Sequence, residues 1–163
     1  MKLRNHYQFI SILLLIILIG CKDDKITDPQ NNAEVVVKKS NTDYNQNSLK
    51  SLFPDSSSLK SISTAYSSNY SEERKAKLIE NMKANVSKLG EDVNIIESIL
   101  EKVGCNVSGE YILPTYAEKA KYEDKDVWLV QFTYGLGNPE FGHFKCFAFS
   151  IPNLDTLNYF GCK

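Results

Sequence analysis

The chain reads as an α+β domain, with two N-terminal helices packed on a three- to four-stranded antiparallel sheet. Three observations predict this. Apolar residues recur at helical spacing between residues 71 and 104, the period changes to two after Val107, and 12 of the 57 residues from Val107 onward are aromatic. Helical runs followed by a strand meander place helices across an antiparallel sheet. The whole chain has 163 residues, 42% of them apolar, and a formal net charge of −1. That length suits one domain, and the near-neutral charge offers no basic stripe for phosphates, so no nucleic-acid partner is expected.

Residues 1–20 hold 13 apolar residues and no acid, and they read as a removable signal segment. Lys2 and Arg4 give a positive start, and an apolar run from Phe9 to Ile19 is broken only by Ser11. Such a run is too short for a spanning helix, which needs roughly 20 residues, and it has the layout of a secretory signal peptide. It ends in Leu18-Ile19-Gly20-Cys21, which resembles a bacterial lipobox. The resemblance implies that signal peptidase II recognises Leu18, Ile19 and Gly20 and cuts before Cys21, whose thiol carries the diacyl lipid. Lys22-Asp23-Asp24 resembles the export signal of surface-exposed lipoproteins of the Bacteroidota. The implied partner is a membrane held through the lipid anchor. The implied location is the outer membrane at the cell surface, with a periplasm-facing anchor as the alternative.

Residues 21–70 read as a tether. Between Lys22 and Tyr70 there are 10 serines and 6 asparagines, and no apolar period survives through Asp28–Asn47. Val35-Val36-Val37 is read as part of this solvated linker, with a short edge strand as the alternative. Leu59, Ile62 and Tyr66 fall at helical spacing after Pro54.

The folded domain is expected over residues 71–163. Ser71 with Glu72 and Glu73 forms a helix start, Leu78, Met82, Val86 and Leu89 form its apolar face, and Gly90 stops it. A second helix begins at Asp92, buries Val93, Ile96, Leu100 and Val103, and ends at Gly104. Glu110–Tyr116 reads as a strand that Pro114 demotes to an edge or a bend. Glu118–Asp126 reads as a charged, solvated connection. Trp128, Val130, Phe132 and Tyr134 share one face of the next strand, His143–Ile151 is apolar on both faces, and Thr156–Cys162 forms the last strand.

Candidates for chemistry are few. With Cys21 assigned to lipid, Cys105, Cys146 and Cys162 remain, in a compartment that permits disulfides. A hairpin centred on Leu154 sets Cys146 opposite Cys162, while a pairing of Cys105 with one of the strand cysteines competes. Cys105, His143, Cys146 and Cys162 are also the ligand types of a zinc site. No CxxC is present, however, and residues 143 and 146 point to opposite faces of a strand, so no metal or cofactor is expected. His143 is the one histidine left after signal cleavage, and a Cys–His or Ser–His hydrolase would have to use it. The glycine-rich loop of residues 135–142 offers Leu136, Asn138 and Phe141 as binding-loop residues, with Phe141 folding back on the core as the competing reading. No catalytic residue is assigned. The favoured function is a non-enzymatic, lipid-anchored binding module for a protein or small molecule at the envelope. The alternatives are an inhibitor or immunity protein against a secreted enzyme or toxin, and a small hydrolase using His143.

Overall fold

The computed structural model describes residues 34–52, 66–68, 70–135 and 140–162. The expectations for Leu18, Ile19, Gly20, Cys21, Lys22, Asp23, Asp24, Leu136 and Asn138 lie outside these residues. In chain order the elements are β1 (Val36–Tyr44), α1 (Gln46–Leu49) with a following 3₁₀ turn (Lys50–Leu52), α2 (Glu72–Lys88), α3 (Val93–Lys102), β2 (Ile112–Tyr122), β3 (Lys125–Gly135), β4 (Phe141–Ser150) and β5 (Thr156–Cys162). The five strands form one sheet in sequence order. β1 runs parallel to β2, and every other pair is antiparallel. The α+β class therefore stands, but the sheet is mixed and five-stranded.

The extra strand corrects the tether boundary. Residues 34–52, read as linker, contribute β1 and α1 to the fold. Val35 is 1% exposed and, with Val37, packs in the core under the helices. The alternation is short, and polar β1 residues meet polar partners on β2: Lys38 lies opposite Glu118 and Lys39 opposite Lys119. Hydropathy favours a linker here, and the ladder instead bears out the alternative of an edge strand at Val35-Val36-Val37. A parallel pair needs a long crossover, which residues 45–111, with α2 and α3, supply.

Both long helices are built as their sequences dictate. Ser71 Oγ accepts the Arg74 backbone N–H at the start of α2, where Glu72 and Glu73 meet the positive end of the helix dipole. Asp92 accepts the Asn94 N–H to start α3. Gly90 and Gly104 follow the two helices with φ +73° and +72°, values that glycine adopts without strain. Leu78, Met82 and Val86 of α2 and Ile96, Ile99 and Leu100 of α3 are buried. They join Ala117, Trp128, Val130 and Phe132 in the larger core.

A second core occupies the other sheet face. Tyr44 and Leu49 pack there with Ala120, Tyr122, Val127, Leu129 and Ala148. β2 is thus buried on both faces and paired on both edges, so of the two readings of Pro114, an edge or a bend, the ladder supports the bend. Pro114 is tolerated because it sits at a register shift in the β2–β3 ladder and precedes Tyr116, where pairing with β1 begins. Glu118–Asp126, expected as a solvated connection, instead completes β2 and turns into β3. The turn residues Glu123 and Asp124 have φ 49° and 65°, between paired Tyr122 and Lys125, as in a two-residue hairpin of mirror-image turn type.

Candidate binding surface

The glycine loop does not present its aromatic residue. Phe141 is 3% exposed and belongs to the helix-side core. Its ring centroid lies 5.4 Å from that of Tyr70 and 6.3 Å from that of Tyr66, and its backbone N–H donates to Ser67 Oγ at 2.9 Å. A Phe on the first residue of a central strand gains more by packing than by standing in water. Phe141 is therefore a core residue and not a docking tip.

The cysteines are also placed differently from expectation. In the β4–β5 ladder Cys146 faces Phe160, and Cys162 faces Phe144. The hairpin is centred one residue earlier than assumed, which moves the partner by two positions. A register shift between Ala148 and Phe149 leaves Leu157 unpaired, so the centre cannot be counted from the turn alone. Cys105 and Cys146 are free, buried thiols. Cys105 lies in the helix-side core and donates to the Ile112 carbonyl, with Sγ 3.4 Å from the oxygen. Burial pushes both thiols up to about 12, so neither supplies a thiolate near neutral pH.

His143 pairs with Tyr134 across the β3–β4 ladder, and Cys146 pairs with Gln131. The odd spacing sends the two side chains to opposite sheet faces, so they form no Cys–His dyad. Among the described residues, no group of three or more His, Cys, Asp or Glu side chains is placed to hold a metal ion.

What the sheet does offer lies on its outer strands. On the helix-side face β4 carries His143, Lys145, Phe147 and Phe149, opposite Tyr134, Phe132, Val130 and Trp128 of β3. The Phe147 ring stacks on Phe149 (centroids 5.5 Å, 13° between planes) and on Tyr159 of β5 (6.1 Å, 28°). On this same face α2 packs on β1 and β2, toward the opposite edge of the sheet. Phe149, at the inner end of the row, is buried with Lys102 Nζ of α3 5.9 Å from its ring centroid, whereas Tyr159 is 65% exposed and Phe147 only half-buried. The exposed Lys145 places its Nζ 4.8 Å from the Tyr134 ring centroid. Gly161 stands directly opposite Lys145 on β5 and contributes no side chain, so the cation is open on that flank. An open aromatic row beside a cation can stack a flat or apolar ligand surface and hold a negative group next to it. No family model, curated protein or solved structure matches the chain.

The opposite face holds a buried polar cluster. Glu118 is fully buried on β2, accepts the Tyr44 hydroxyl at 3.0 Å and a very short bond from Tyr116, and meets Lys38 Nζ at 3.5 Å. Burial alone would raise its carboxyl. Hydrogen bonds from Ser40, Tyr116 and Tyr44, with the Lys38 charge, outweigh that and hold it below its ordinary value. Three of these four partners belong to β1, so the cluster fastens β1 to β2. Sequence reading missed both groupings. The available signal was Lys145, a lone charge in Phe141–Phe149, and Glu118, a lone acid at an inward position of β2.

Proposed function

We propose that the chain is a lipid-anchored envelope protein whose domain is a non-enzymatic binding module for a protein or small ligand. The observation that carries this reading is the open row of Phe147 and Tyr159 beside Lys145 and Tyr134. It combines two features that recognition surfaces use, exposed aromatic area and an accessible cation beside it. Cys21 is the anchor in this reading, and Lys22, Asp23 and Asp24 direct the protein to the cell surface.

The test uses the full chain as bait in envelope extract and on arrays of peptides and oligosaccharides. Tyr159→Ala and Lys145→Ala are each expected to weaken capture by tenfold or more, in line with about 1.4 kcal/mol or more per interface anchor. Far-UV circular dichroism should stay unchanged. Capture that survives both substitutions would exclude this surface. A hydrolytic activity abolished by His143→Ala in a folded protein would overturn the non-enzymatic reading.

A further inference from the structure

The two edges of the sheet are built differently. β1, at one edge, carries Lys38, Lys39 and Asp43, and its register shifts between Lys39 and Asp43. Charges and irregularity of this kind keep an edge from pairing with another chain. β5, at the other edge, runs from Thr156 to Cys162 without a charged residue or a proline. Among the described residues it is the last strand of the sheet, and alternate residues along it turn their N–H and C=O groups outward. The register shift in its ladder lies at Leu157, so residues 158–162 pair regularly with β4.

Gly161 stands inside that regular stretch, and its backbone does not require glycine. Its φ is not positive, and an added Cβ would lie 3.4 Å from the Phe144 carbonyl oxygen and 3.7 Å from Lys145 Cγ, which are ordinary contacts. Glycine weakens a strand, and away from a bulge or bend it often marks a place where another backbone approaches closely. What it leaves open here is the flank of Lys145, directly opposite on β4. Lys38, Lys39, Lys83 and Lys119 each meet a carboxylate, whereas among the described residues no carboxylate pairs with Lys145. The exposed Lys145 only leans over the Tyr134 ring.

We infer that β5 receives an added strand: an extended peptide segment of another protein, with an acidic side chain opposite Gly161 and an aromatic or apolar one opposite Tyr159. This rests on the reading of the Tyr159–Lys145 surface as a binding site and names its partner as a peptide. A strand beside β5 lies two strand spacings from β4, about 10 Å, a gap that a lysine and a glutamate bridge together when no side chain stands between them. The acid then pairs with Lys145 across Gly161. The peptide residue two positions away falls on the same face beside Tyr159 and extends the row of Phe147 and Tyr159. In the antiparallel direction the acid comes first, then any residue, then the aromatic or apolar one. Main-chain bonds supply the affinity of such pairing, and the alternate side chains supply its specificity. β5 itself contains no acid, so a second copy of the chain would leave Lys145 unanswered.

The test titrates the full, isotope-labelled chain with capped peptides of the length of β5, each holding a glutamate and, two residues later, a tyrosine, with threonine elsewhere. Amide shifts and slowed amide exchange are expected at residues 158–162. Lysine in place of the peptide glutamate is expected to weaken binding several-fold, and Lys145→Glu to reverse that preference. Gly161→Thr is expected to keep the urea midpoint while removing most of the preference; should it fail to fold, the charge reversal at Lys145 decides. Absence of binding, equal binding of the two peptides, or indifference to the charge reversal overturns the inference. Capture of an oligosaccharide that needs Tyr159 and Lys145 but leaves exchange in β5 unchanged would keep the surface as a binding module and overturn strand addition. Peptide binding that persists in both Tyr159→Ala and Lys145→Ala overturns the two readings together. A dimer in sedimentation that Gly161→Thr disrupts would put a second copy on this edge, which also overturns the inference.

Discussion

Burying the Glu118 carboxylate costs several kcal/mol unless donors meet its oxygens, and β1 supplies most of them. Tyr44, Ser40 and Lys38 arrive on β1, and Tyr116 stands two residues before Glu118 on its own strand. Glu118→Gln keeps the shape but replaces an acceptor-only group with one that also brings donors toward phenols. It is expected to destabilise the fold by about 1–3 kcal/mol, read as a lower urea midpoint. The pH dependence follows from two opposite shifts. The carboxyl is held below its ordinary 4.5, so its stabilisation is present above pH 4.5 and is lost as pH falls through the lower folded value. The Tyr44 phenol is raised to about 12, by burial first and by its bond to Glu118 second. Its contribution is complete below the ordinary value of 10 and is lost as pH rises through about 12. Urea midpoints measured against pH should form a plateau with both flanks, and Glu118→Gln should flatten the acid flank. An acid flank unchanged by the substitution would assign it to other carboxylates.

At the scale of elements, α2 shows how one buried cation organises a loop. Lys75 is 3% exposed, and its Nζ donates to the Val107 and Glu110 carbonyls at 2.7 and 2.6 Å. The segment between α3 and β2 is thereby tied to the first turns of α2. Lys75→Met keeps the aliphatic stem but leaves both carbonyls without this donor, and is expected to cost about 1–3 kcal/mol. Amide exchange should accelerate at residues 105–110 while α3 keeps its protection; uniform acceleration would mean that Lys75 supports the whole domain instead. α2, α3 and β3–β5 are legible in the sequence because each buries one apolar stripe of clear period, with caps at Ser71 and Asp92 marking the helix starts. β1 and the second half of β2 are not. The inward Glu118 is satisfied by Lys38, Ser40 and Tyr44, 74 or more residues away, and by Tyr116 on its own strand. The Cys146 partner is obscured by a single unpaired residue, Leu157. The binding-loop expectation failed at Phe141 because glycines mark turns without saying which way the neighbouring ring folds. The outer-strand surface was visible only as an alternation, His143, Lys145, Phe147, that acquires meaning once Tyr159 is known to lie beside it.

For the molecule as a whole, the decisive question is where folding begins. A boundary at residue 71 would make the domain a helix pair on an antiparallel sheet, with β2 as its edge. The observed boundary lies before Val35, and removing residues 34–70 would strip three kinds of support at once. The backbone groups of β2 that pair with β1 from Tyr116 to Tyr122 would become an open edge. Glu118 would lose Tyr44 and Lys38 while its carboxylate stayed on an inward position. Ala120, Tyr122, Val127, Leu129 and Ala148 would lose the cover of Tyr44 and Leu49. A buried charge deprived of its partner costs about 3–5 kcal/mol by itself, which is comparable with the net stability of a small domain. A chain of residues 34–163 is therefore expected to unfold in one cooperative urea transition with the same midpoint as the longer protein. A chain of residues 71–163 is expected to lack that transition and to aggregate through its uncovered β2 edge. Proteolysis of the intact protein should agree, with early cuts before residue 34 and none between residues 35 and 49. If the 71–163 chain retained the midpoint, β1 would be an ornament on a self-sufficient sheet.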